Sequence, residues 1–339
     1  GYSADVNFNV SDDAAAIAQA LVANGNSSLN NAEDVAVNGG VVSVDSAADI
    51  QLVSAYDASG SSYTIEDSSS VIIGSNAVID SGVEQVFVTD TVDVADGVAL
   101  SDMEVALEAE RGMDAADIDF DVVGSASEIT ANAGDLSGAS IVTVTNASVD
   151  VADGVALNAL EVSLLGDDTQ ANVDFLVEDD AAAIAGVLGI SGTSLDGAEG
   201  LVVSSGDTTV QGAADIQSLS GIYDASSSSY TVSDTAGAIL GDTGTVIDDG
   251  VSTINVNGPV GAGVGVQLGA LEDASFETGY SADVNFNVSD DAAAIAAVLN
   301  GDRSALDGAN DLDVTGGTTT IAGAADIQSS GAYDAANSD

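Results

Sequence analysis

Closely spaced carboxylates are the residues of this sequence with the most chemistry to offer. Asp12–Asp13, Asp179–Asp180 and Asp290–Asp291 are adjacent pairs, each followed by an alanine-rich stretch. Asp93 and Asp96, and likewise Asp150 and Asp153, stand three apart in two copies of DVADG. Calcium takes roughly six to eight oxygen ligands, and two acids beside a turn-forming glycine make up half of a calcium loop. The glutamate that closes a helix–loop–helix calcium site is missing from both copies. In the related VGAGVGVQL at Val260 neither aspartate is kept. The adjacent pairs carry two readings. An aspartate ahead of a helix accepts hydrogen bonds from the free first-turn N–H groups, and carboxylates at neighbouring edges can share calcium.

Catalysis has little else to draw on. The chain contains no histidine, cysteine or lysine, so the common bases and nucleophiles are absent. Two carboxylates can run glycoside hydrolysis, and a β-helical polysaccharide hydrolase is the natural analogue. The acidic pairs recur with the repeats, however, as structural features do, and no unique cluster breaks the pattern. The serine-rich DASSSSY at Asp224–Tyr230 reads as a loop, and no catalytic residue is assigned. Asn9, Asn146 and Asn287 lie in N-x-S contexts open to glycosylation.

Charge narrows the partners. Fifty-six Asp and Glu face two cations, Arg111 and Arg303, for a net charge of −54. Nucleic acid and anionic membranes are excluded, because both are bound through Lys and Arg. Cations are the natural counterpart, calcium first among them. With no cysteine there is no disulfide framework, and no apolar run is long enough to span a bilayer. The chain opens at Gly1 without Met or a signal peptide, and so reads as processed or as cut from something longer.

The elements that must position these acids are repeated. GYSADVNFNVSDDAAAIA occurs at Gly1 and again, letter for letter, at Gly279, with a looser copy from Ala171. VDVADGVAL at Val92 returns at Val149, and SAADIQLVSAYDAS at Ser46 returns in altered form at Gly212 and Gly323. The offsets divide residues 1–339 into one array of approximate super-repeats 1–91, 92–148 (shortened), 149–259 and 260–339 (incomplete). An elementary unit of about 28 residues fits these offsets and falls in the range of stacked repeats.

Within a unit the strands are short and alternate with period two. Val6, Phe8 and Val10 share one face, as do Val173, Phe175 and Val177, Tyr230 and Val232, and Ile254 and Val256. Asp12, Asp45, Asp179 and Asp234 then precede small-residue helices as their expected caps, and Gly25, Gly189 and Gly241 stop them. Strand, Asp, short helix, Gly, next strand predicts an α/β solenoid with a parallel sheet on one side and helices on the other. An all-β parallel helix is the alternative, and a string of β-sandwiches a more distant one. The single proline, Pro259, suits strands that are nearly all internal.

YTVSDTAGAIL at Tyr230–Leu240 and YTIEDSSSVII at Tyr63–Ile73 resemble segments in the repeat regions of very large secreted bacterial surface proteins, of the adhesin or hemolysin-type calcium-binding class. The resemblance implies export, extracellular calcium and a structural or adhesive role. The glycine-rich G-G-x-G-x-D nonapeptide of the calcium β-roll is absent here. Together these readings predict an acidic, extracellular or cell-surface structural protein: an adhesin stalk, surface-layer component or filament subunit. It would associate with itself head-to-tail or laterally and be stabilised by calcium. A module binding surface polysaccharide or a receptor is the alternative, favoured by any row of aromatics on the solvated sheet face.

Overall fold

The computed structural model describes residues 8–111, 117–136, 138–164, 172–190, 194–242, 250–273, 282–300, 302, 304–333, 335–336 and 338. Val6, Arg303 and the side chain of Arg111 lie outside them. The chain divides into two compact units, Gly1–Ala147 with Ala156–Phe175, and Ser148–Val155 with Leu176–Asp339.

The first unit alternates strand and helix: β1 (Asn9–Asp12), α1 (Ala14–Asn24), β2 (Asp34–Val42), α2 (Val44–Gln51), β3 (Ser62–Asp67), α3 (Ser69–Ile73) and β4 (Val83–Val88). It continues through β5 (Val92–Asp93), α4 (Val94–Arg111), β6 (Asp117–Gly124), α5 (Ala126–Ala131) and β7 (Ala139–Val144); after α6 (Val151–Leu164) comes β8 (Asn172–Asp174). The sheet keeps chain order, β1-β2-β3-β4-β6-β7-β8, with β5 also on β6. Every pairing is parallel. This is the α/β arrangement expected from the sequence.

The second unit repeats the scheme. It runs through β9 (Leu176–Asp180), α7 (Ala181–Leu188), β10 (Gly200–Ser205), β11 (Asp207–Thr208), α8 (Val210–Gln217), β12 (Tyr230–Asp234) and α9 (Ala236–Gly241). β13 (Val251–Val256), α10 (Ala262–Asp273), β14 (Asp283–Asn285), β15 (Asn287–Asp290), α11 (Ala292–Leu299), β16 (Asp311–Val314) and α12 (Ile321–Ser329) complete it. Its ladders are β9–β10, β11-β12-β13-β14 and β15–β16. Single-residue parallel bridges, Leu201 to Tyr223 and Val260 to Val288, extend the pairing.

Turn length is not constant. Paired residues are separated by as few as 19 positions, Phe120 to Ala139, and as many as 32, Gln85 to Asp117. The separation follows the helix in between, six residues in α5 and eighteen in α4. The spacing from strand to paired strand is therefore unequal along the chain.

Register stacks like on like. Ile65 lies opposite Val86 and Val86 opposite Ile118, all fully buried. Val122, Val142 and Val173 form a second such row. In the other unit Val232, Ile254 and Val284 do the same. Helix side chains such as Ile50, Ile72, Leu100 and Ile129 are also sealed from solvent. Each such aliphatic residue contributes about 1.5–3 kcal/mol of burial. Polar residues also align: the Asn285 amide donates to Asn255 Oδ1 at 3.1 Å, and the Asn310 amide to Asn285 Oδ1 at 3.2 Å.

Aromatic residues serve the core. Tyr63, Tyr230, Phe120 and Phe286 are among the largest fully buried side chains. Gln51 Nε2 donates to the Tyr63 hydroxyl at 2.9 Å, and the Tyr56 hydroxyl donates to Asp80 Oδ1 at 3.1 Å. Burial, more than any neighbour, pushes both tyrosine hydroxyls upward from their ordinary pKa. Gly82 leaves room for this pair, since a Cβ there would sit 2.5 Å from the Tyr56 hydroxyl.

Candidate functional site

The acids predicted from sequence do come together with partners, but the partners are backbone amides. Asp179 shows the arrangement. Its Oδ1 accepts the N–H of Asp180 at 2.7 Å, and its Oδ2 accepts the N–H of Val151, 28 residues earlier, at 3.0 Å. Val151 is the first residue of α6. A carboxylate at the end of one strand therefore holds the open N-terminus of the preceding turn's helix. The four free N–H groups there and the helix dipole both favour an anion.

The same contact recurs. Asp67 Oδ2 holds the Val44 N–H of α2 at 3.1 Å, Asp234 Oδ2 holds Val210 of α8 at 3.2 Å, and Asp290 Oδ2 holds Ala262 of α10 at 3.0 Å. Asp90 takes both the N–H of Ser69, at 2.7 Å, and its hydroxyl, at 2.9 Å. Asn146 Oδ1 holds the Ala126 N–H of α5 at 3.0 Å. That bond gives Asn146, one of the glycosylation candidates, a structural job.

One geometric rule covers all six joints. Where residue i pairs with residue j of the next turn, the side chain at j+2 caps the N–H at i+2. Val42 pairs with Ile65, and Asp67 caps Val44. Val149 bridges Val177, and Asp179 caps Val151. Gly124 with Val144, and Val260 with Val288, follow suit. One further joint uses a glycine carbonyl instead: the Ala292 N–H donates to Gly316 O at 2.9 Å.

Sequence reasoning misplaced the caps by one or two residues. The helices are capped by Asp13, Ser43, Asp180 and Thr235, not by Asp12, Asp45, Asp179 and Asp234. Asp291 likewise accepts from Ala293 and Ala294, both at 2.9 Å. Asp179 and Asp290 reach back to the previous helix, whereas Asp12 accepts from the neighbouring Asp13 N–H; in all three pairs the second residue caps its own helix. Asp45 sits in the first turn of α2.

The DVADG segments are helix starts, not loops. Asp93 accepts the N–H of Asp96, and Asp150 that of Asp153, each at 2.9 Å. Gly97 lies inside α4, where a Cβ would come within 2.8 Å of Val122 Cγ2 and 3.2 Å of Leu136 Cδ2. Its role is close approach of helix to sheet. Among the described residues no group of three or more acids is placed to hold a metal ion. The carboxylates of Asp93, Asp150 and the three acidic pairs accept from backbone amides.

Two carboxyls depart in the other direction from the depressed Asp90, which the Ser69 N–H holds below its usual value. Burial raises Asp121, with the nearby Asp119 adding to it, and burial raises Glu161, with Asp174 adding. A carboxyl whose folded pKa is raised contributes stability that is complete below the unfolded value and lost as pH rises through the folded one. Asp121→Asn is therefore expected to stabilise the protein at neutral pH and to change nothing in acid. Urea midpoints of both proteins across the carboxylate range test this; an equal shift at every pH would refute it.

A shallow groove that the sequence did not reveal recurs between helices. Ala182, Ala185, Thr209, Gly212 and Asp215 line it between α7 and α8, with a volume of about 490 Å³. Ala293, Ala296, Thr320, Gly323 and Asp326 line its copy between α11 and α12, about 550 Å³. Its signal in the sequence is the pairing of AAAIA with GAADIQ. The sheet offers no aromatic row: Phe8 and Phe87 are the exposed aromatics among the described residues. No helix among these residues is long and apolar enough to cross a membrane. No protein-family model matches the chain, and no curated protein matches it.

Proposed function

We propose that this chain is a structural repeat protein of a bacterial cell surface, a stalk, surface-layer or filament subunit, whose turns wind as an α/β solenoid. The observation that carries the reading is the repeated carboxylate-to-helix joint. The acids that would otherwise be candidates for chemistry are engaged in fastening one turn to the next, and they recur because the turns recur. The likeness of the YTVSD blocks to repeats of secreted surface proteins supports an extracellular setting. Calcium enters as a counter-ion to the net charge of −54, lowering repulsion between copies and within each. On this reading the protein spans distance and associates with further copies of itself.

Negative-stain electron microscopy of the purified chain in millimolar calcium tests the assembly. Fibres or ordered arrays are the expected result. Discrete single particles at every concentration and calcium level would overturn it.

A further inference from the structure

One row of outward side chains on the first unit's sheet departs from its repeats. Glu66 of β3, Phe87 of β4 and Asp119 of β6 are register partners across three neighbouring strands. Their strand neighbours Ile65, Val86, Ile118 and Phe120 are buried, so all three point to the opposite face. Phe87 is 37% exposed, an aromatic ring between two carboxylates. Asp121 follows two residues along β6 on the same face, opposite Ile141, which is 39% exposed. Adjacent strands lie about 4.8 Å apart, and alternate residues of a strand about 6.6 Å, so these five side chains form one patch.

The repeats supply the control. GVEQVFVTD at Gly82–Asp90 corresponds to GASIVTVTN at Gly138–Asn146 and to GVSTINVNG at Gly250–Gly258. ADIDFDV at Ala116–Val122 corresponds to ANVDFLV at Ala171–Val177 and to ADVNFNV at Ala282–Val288. The same row is therefore Val123, Thr143 and Asp174 further along the first unit's sheet, and Ser233, Asn255 and Asn285 in the second unit. Leu176 and Asn287 stand in the place of Asp121. The fold thus needs neither the exposed ring nor the full set of acids. In the second unit the amides bond one another, Asn285 donating to Asn255 Oδ1 at 3.1 Å. In the first, Asp119 accepts the Ser140 hydroxyl, and Asp121, partly buried, accepts no hydrogen bond among the described residues.

We propose that this patch docks an arginine-bearing segment of a separate, basic protein. The guanidinium lies on the Phe87 ring with its N–H groups toward the carboxylates of Asp119 and Asp121, Glu66 flanks the ring on the other side, and the aliphatic stem runs along Ile141. Arginine suits the patch better than lysine. Its planar, weakly hydrated head stacks on an aromatic face and presents a fork of donors to carboxylates. Charge complementarity fixes the partner's sign: a chain of net charge −54 repels its own copies and attracts a cation. Asp121 lacks a donor in the free protein, and the partner supplies one. The inference stands apart from the self-associating reading above and adds a partner of another kind.

The test must separate a site from the ion atmosphere that any acidic protein carries. The probe is a capped peptide of alternating arginine and alanine with three arginines, set against the same peptide with lysine. Each is titrated into the full chain by calorimetry and proton NMR at about 0.15 M salt, where the screening length is about 8 Å. The arginine peptide is expected to saturate at one per chain and to bind at least about threefold more tightly than the lysine peptide. The side-chain protons of one arginine should move upfield under the Phe87 ring current.

Phe87→Asn and Asp121→Asn place in the patch the residues that Asn255 and Asn287 already provide in the second unit. Each should weaken the arginine peptide by about fivefold or more, and Phe87→Asn should abolish the upfield shift. Asp102→Asn, an exposed acid of α4, removes the same single charge and should leave binding as it was. An atmosphere set by a net charge of −54 responds alike to Asp102→Asn and Asp121→Asn, and not at all to Phe87→Asn. Circular dichroism melts establish that the variants remain folded. Several peptides bound per chain with all variants equal to wild type, arginine and lysine peptides bound equally, or no binding at all would each overturn the proposal.

Discussion

Replacing Asp67 by alanine is expected to lower the stability of the first unit by about 1–3 kcal/mol. Asp67 bonds two amides, Val44 N–H at 3.1 Å across the turn and Ser68 N–H at 2.9 Å beside it. Val44 is 3% exposed, so its N–H gains little from solvent once the carboxylate is gone. The loss should appear as a melting midpoint lower by about 2–4 °C for each kcal/mol, given the size of the unit. Asparagine at the same position should restore most of it, since the amide oxygen of Asn146 performs the same task on Ala126. A plain N-cap or a solvated surface charge predicts otherwise. If Asp67 served only its own helix, alanine would cost a few tenths of a kcal/mol, because Ser68 already occupies the cap position of α3. Equal urea midpoints for wild type and Asp67→Ala would refute the inter-turn role.

Strand faces were legible from period-two alternation because burial acts on alternate residues wherever one face is covered. Val173, Phe175 and Val177 are all buried as read, and so are Tyr230 and Val232. The helices were legible for a related reason: alanine and aliphatic spacing of the AAAIA type suits a short helix lying on a sheet. What escaped was the partner of each aspartate. A cap three residues away is visible in sequence, whereas a bond from Asp179 to Val151 spans a whole turn whose length varies with its helix. Gly97 misled in another way. Glycine inside a helix costs about 1 kcal/mol relative to alanine, so a turn was the natural expectation for DVADG. Packing decides instead, because a methyl group at Gly97 would collide with Val122.

The second large effect is ionic. Fifty-six acids against two arginines leave −54 charges on 339 residues, and parallel strands set neighbouring turns only about 4.8 Å apart. At about 0.01 M salt the screening length is about 30 Å, so a given carboxylate interacts with those of several turns, while at about 1 M it is about 3 Å. The melting midpoint in chelator at low salt is therefore expected to lie at least about 10 °C below that in molar salt or millimolar calcium. The ion's identity decides between two modes of stabilisation. Chelation in a shaped site favours calcium over magnesium, because the smaller ion demands tighter octahedral geometry and gives up water reluctantly. An ion atmosphere around amide-bonded carboxylates responds to charge alone. With Asp13, Asp180 and Asp291 bonded to their own helices, and Asp179 and Asp290 to the helices before, equal concentrations of calcium and magnesium should raise the midpoint equally and without saturation at low ratios. A calcium response that saturates at a small whole number of ions, with magnesium inert, would replace the ion atmosphere by discrete sites.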